Sequence, residues 1–132
     1  MNAAPHLRFL NIAEAGFFPE ERVVLRPSVK LNLMEYILIP MQGTATPGDA
    51  EDLNSDVYWF PLNEVEAGDY VLLYTKTGTD HTFTDSKGNL VHVYYWGKER
   101  AIWRDSATVV AVLKITDWVF YGIGEQALEK AG

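Results

Sequence analysis

Asp80-His81-Thr82-Phe83-Thr84-Asp85, followed a few positions later by His92, is the densest group of acid–base and metal-capable side chains in this sequence. If a hairpin turns after Phe83-Thr84 and returns through Leu90–Tyr95, His81 and His92 approach across the strand pair. Two imidazoles and the Asp85 carboxylate then supply three zinc ligands and leave a fourth position for water, as a catalytic zinc centre requires. The spacing matches no metal-ligand motif, and Asp80, Thr82 and Asp85 are ordinary turn residues. The expectation is a polar hairpin with no cofactor. A small metal-dependent enzyme built on His81, Asp85 and His92 is the alternative.

Other chemistries find less support. Ser28, Ser55, Ser86 and Ser106 fall in connectors, and none lies in the Gly-x-Ser-x-Gly elbow that exposes a nucleophilic hydroxyl. Gly122-Ile123-Gly124 lacks the third glycine and the lysine of the nucleotide-binding loops. Glu64 and Glu66 flank Val65 in a polar connection, and Glu51-Asp52 lie in a polar loop. Neither pair has the burial that drives two carboxylate pKa values apart for acid–base work. Without cysteine the chain has no disulfide, thiolate ligand or thiol nucleophile.

The aromatic residues carry more. Tyr94-Tyr95-Trp96 and Trp103 bracket Gly97-Lys98-Glu99-Arg100, and Tyr58-Trp59-Phe60 ends another apolar run. Adjacent strand residues face opposite sides, so both runs are bulky on two faces, whereas one outer face of a two-layer sandwich is normally wet. Tyr, Trp and Arg are the side chains that anchor protein interfaces. The expected binding surface is therefore Tyr94, Trp96, Trp103 and Trp59, with Arg100 and Lys98 as rim charges. Aromatic platforms also stack sugar rings, which leaves a carbohydrate-binding accessory domain as a further alternative.

The elements that must position these residues are short strands. Leu7–Ala13, Glu21–Arg26, Leu33–Ile39, Val57–Phe60, Asp69–Thr75, Leu90–Tyr95 and Thr108–Ile115 read as strands, with Asp117–Tyr121 as a last one. Pro27 and Pro40 read as strand stops. Residues 41–56 form a long surface loop, and residues 122–132 a tail with a short helix. At 132 residues the chain makes one domain. Many short strands at turn-punctuated intervals indicate an all-β sandwich or barrel. The net charge of −7 disfavours nucleic acid and anionic membranes and favours solubility. No apolar run is long enough for a bilayer, and Met1–His6 does not read as a signal peptide, so the expected setting is cytoplasmic.

Glu21-x-Val23-x-Leu25 followed by Leu33-x-x-Tyr36-x-Leu38 resembles the opening of a lamin-tail domain. Phe60-Pro61, Gly68-Asp69-Tyr70-Val71-Leu72-Leu73 and Ile102-Trp103-Arg104-Asp105-Ser106-Ala107-Thr108-Val109 resemble its later segments. The departures are Pro27 for an asparagine, Glu35 for a glycine, and Ser106-Ala107 for Gly-Asp. The resemblance implies an immunoglobulin-like antiparallel sandwich of seven or eight strands. It also implies a non-enzymatic module that binds a protein partner or a second copy.

Overall fold

The computed structural model describes residues 6–42, 57–103 and 108–122. The protein is all-β. Ten strands occur among the described residues: β1 (Leu7–Ala13), β2 (Arg22–Pro27), β3 (Leu31–Asn32), β4 (Tyr36–Gln42), β5 (Tyr58–Trp59), β6 (Glu64–Val65), β7 (Tyr70–Tyr74), β8 (His81–Thr84), β9 (Leu90–Tyr95) and β10 (Thr108–Lys114). They form a five-stranded sheet in the order β1-β2-β7-β9-β8, a three-stranded sheet β10-β4-β5, and a two-stranded ladder β3-β6.

One core lies between these sheets. Val23, Leu25, Val71, Leu73 and Tyr94 enter it from the large sheet, Tyr36 and Leu38 from β4, and Leu31 and Val65 from the small ladder. Leu7 from β1, with Leu33, Phe60 and Trp103 from the connections, completes it. Period-two alternation explains the choice: in β2 and β7 every second residue is buried. β9 departs from this. Val91, His92, Val93 and Tyr94 are all buried; the strand lies inside the sheet between β7 and β8.

Three expectations need correction. Pro40 does not end a strand. β4 runs to Gln42, with Pro40 opposite Val110 of β10. β5 pairs only with Ile37 and Leu38, so Pro40 lies beyond that ladder, where a missing N–H is tolerated. Pro27, by contrast, does end its strand as expected: it is the last residue of β2, paired with Leu7. Leu33–Glu35 is a 3-10 turn rather than strand; the Asn32 side chain accepts from Met34 N at 3.0 Å and diverts the backbone before β4 begins. Finally, β7 and β9 run parallel, where an all-antiparallel sandwich was expected. The chain leaves β7, lays down β8 one strand-width away, and returns through β9 into the gap. Residues 123–132 of the tail expected to carry a helix, and residues 43–56 of the expected loop, lie outside the described residues.

Candidate functional site

Glu21 precedes β2 in phase with Val23 and Leu25, so alternation turns its carboxylate inward, and it is fully buried. Oε1 accepts from Gly16 N at 2.8 Å and Trp103 N at 3.3 Å; Oε2 accepts from Ile102 N at 3.0 Å and from the Thr75 hydroxyl at 2.5 Å. Four donors from three segments, two of them distant in sequence, converge on one carboxylate. Such a fully hydrogen-bonded buried carboxylate is a tie point. None of its four partners is a histidine.

His92 sits in a second polar cluster. Its Nε2 lies 2.9 Å from Asp69 Oδ2, an acceptor, so Nε2 carries the proton. Its Nδ1 therefore accepts from the Asn63 amide at 3.3 Å, and the same amide nitrogen donates to the Tyr94 hydroxyl at 2.7 Å. Asp69 Oδ2 also accepts from Glu66 N at 3.0 Å, which closes the Gly68-Asp69 turn. An Asp–His pair has the parts of a general base, but both imidazole nitrogens are occupied by protein groups. Burial raises the pKa of Tyr94, the Asn63 bond opposes this, and Asp80 adds to it.

The metal alternative fails on geometry. His81 pairs with Val93, whereas His92 pairs with Thr82. The two imidazoles therefore project from opposite faces of one sheet. Asp85 is committed to its own turn, accepting from Lys87 N, Asn89 N and Asn89 Nδ2. The Asn89 backbone bond, above all, holds its carboxyl below the usual range. Among the described residues no three His, Asp or Glu side chains gather as a metal ion needs.

The aromatic set expected to form one surface is divided. Tyr94 and Trp103 are core residues, 5% and 4% exposed, and present nothing to a partner. Trp96 is half-buried, with ring centroids 5.8 Å from Tyr58 and 6.2 Å from Trp103. Lys98 stands 5.9 Å over Trp96, and Arg100 is exposed beyond it. Trp59 belongs to the other sheet. Its Nε1 donates to Met34 O at 2.6 Å, and the rings of Trp118 and Phe120 pack on it. The excess in Tyr58-Trp59-Phe60 is thereby resolved: Tyr58 and Phe60 turn toward the core, and the 115–121 segment covers Trp59. Burial pushes the Tyr58 hydroxyl far above the tyrosine range, with Asp80 and Tyr94 contributing less.

Two surfaces remain, one on each sheet. On the small sheet, alternation and register put Ile37, Ile39, Met41, Trp59, Val109, Ala111 and Leu113 on the face away from the core. None is charged. Val109 and Leu113 are exposed, and so are Val119, Phe120 and Tyr121 in the segment that reaches Trp59. β10 is an edge strand that matches β4 residue for residue over its whole length without a bulge. The edge strand β1, by contrast, carries a bulge between Phe9 and Asn11, and the edge strand β8 is short and exposed throughout.

On the large sheet the outer face is cationic and aromatic. Arg8 lies opposite Arg26, and Arg22 opposite Tyr74. Arg26 stands 4.5 Å over Tyr70, Arg22 5.5 Å and Lys76 5.3 Å over Tyr74. Tyr74 stacks on Tyr95 at 5.4 Å, and Tyr95 on His81 at 6.1 Å. Sequence reading missed this face because its cations are scattered singly along the chain; only strand register collects them. No helix among the described residues is long and apolar enough to cross a membrane. Comparison with protein-family models, with curated proteins and with solved structures gives no match.

Proposed function

We propose that this chain is a non-enzymatic interaction module that binds protein through the outer face of its three-stranded sheet. One observation carries the reading. A sheet whose outer face is wet alternates apolar with polar residues, yet seven residues on this one are uncharged and six of them aliphatic. The face ends on β10, an edge strand with neither proline, bulge nor charge before Lys114, the kind of edge that another chain extends. The occupant is a partner's strand laid along β10, its apolar side chains continuing the face.

The lamin-tail-like, immunoglobulin-like reading belongs here as well. Its support is that the cores of three quoted motifs, Val23-x-Leu25, Tyr36-x-Leu38 and Tyr70–Leu73, fall on β2, β4 and β7; the parallel β7–β9 pair weighs against it. A cytoplasmic setting fits the acidic composition.

The test is the double substitution Val109→Lys with Leu113→Lys. It should leave the melting temperature within about 2 °C of the parent, as surface changes do, while lowering binding of an apolar fluorescent dye. A fall of several degrees would mean that the face is internal packing and would end the reading.

A further inference from the structure

We propose that the outer face of the five-stranded sheet is a second docking site, for an extended acidic segment of a partner protein. The proposal rests on the interaction-module reading and names the chemistry of a partner on a different face. The observation is electrostatic. Pairing registers put Arg8, Asn11 and Ala13 of β1, Arg22, Val24 and Arg26 of β2, Tyr70, Leu72 and Tyr74 of β7, Val91, Val93 and Tyr95 of β9, and His81 and Phe83 of β8 on this one face. Three are arginines and none is a carboxylate, in a chain with a net charge of −7. Lys76 joins them from the turn after β7.

These charges are held ready rather than spent. Arg26 gives its Nε proton to Gly68 O at 3.2 Å and lies against Tyr70. Arg22 donates to Glu20 O at 2.7 Å, and the Glu20 carboxylate is 4.0 Å away at half exposure, a contact of little worth in water. A guanidinium resting on a tyrosine ring keeps N–H groups for a carboxylate while its orientation is fixed by the ring. Glu20 at the β2 end, and Asp80 near Tyr95, are the rim carboxylates.

Spacing suits an extended peptide. Arg22 and Arg26 lie four residues apart on one strand, about 13 Å. Carboxylates at i and i+4 of an extended partner are separated by about the same distance and point the same way. Arg8, directly across from Arg26, places a second cation about 5 Å from the first, enough for two forks on one acidic cluster. The tyrosines supply apolar area at small entropic cost beside those forks.

The experiment uses a fluorescein-labelled peptide of alternating glutamate and alanine, read by anisotropy against the intact chain. Binding is expected in dilute buffer and should weaken steeply as salt is raised past about 0.15 M. Arg22→Glu with Arg26→Glu should reduce affinity about tenfold or more. Because both arginines pack on rings, Arg8→Glu is the companion variant; Arg8 is exposed on the edge strand β1, and its reversal should weaken binding with an unchanged melting curve. No binding of the peptide in dilute buffer, binding indifferent to both charge reversals, or tighter binding of a sulfated oligosaccharide or an oligonucleotide overturns the proposal. Failure here leaves the β10 face untouched, since Val109→Lys with Leu113→Lys probes the opposite sheet.

Discussion

Glu21 shows how much one side chain can be asked to do. Its two oxygens satisfy four donors, and truncation would leave those donors buried and unpaired. Glu21→Ala should cost about 3 kcal/mol or more in a urea titration, whereas Glu20→Ala, one residue away and exposed, should change little. Equal midpoints for the two variants would refute the tie-point role. The position of Glu21 was legible in the sequence, since alternation with Val23 and Leu25 requires an inward carboxylate and therefore partners for it. The partners themselves were not: nothing in the local pattern around Thr75 or Ile102-Trp103 announces a bond to a residue more than fifty positions away. His92 and His81 fail as a pair for the converse reason. A difference of eleven in sequence number looks like proximity, but the β8–β9 register puts the rings on opposite faces.

Elements explain the rest of the surface. The loop after β7 passes Gly78 so close to Tyr95 that an added Cβ would sit 2.4 Å from the ring. Gly78→Ala should therefore push Tyr95 off Tyr74, costing about 1–3 kcal/mol and altering the near-ultraviolet circular dichroism of the stacked tyrosines. A variant with parental stability and spectrum would show that the ring has room to move. Strand positions were largely readable from apolar runs and turn residues, as β1, β7, β9 and β10 illustrate. The failures came where partners set the outcome. Pro40 could stay in β4 because its neighbour β5 is short, and β8 became a strand because β9 offered it a register; neither neighbour is visible from the residue itself.

Across the whole molecule, burial protects four phenols. Tyr36, Tyr58, Tyr94 and Tyr95 all have raised pKa values, with desolvation the leading cause in each. The unfolded chain would release these protons near pH 10, while the folded chain retains them. A group whose folded pKa is raised stabilises fully below the unfolded value, so this contribution is present below about pH 10 and lost as pH climbs above it. Tyrosinate absorbance from these residues should appear in a cooperative step together with loss of far-ultraviolet circular dichroism. Four phenolates titrating with the backbone spectrum intact would contradict the burial. The two outer faces, one uncharged and one cationic, differ in chemistry in a way that composition alone conceals beneath a single acidic total.

The knot of bonds at Glu21 also bears on the order in which the protein is made. A nascent chain that has emerged through Tyr95 already holds every strand of the large sheet. Its buried carboxylate would then have Gly16 and Thr75 but not Ile102 or Trp103. Two of four donors do not repay taking a charge out of water. The large sheet is thus expected to stay loose on the ribosome until Trp103 clears the exit tunnel, and to consolidate when that tryptophan arrives.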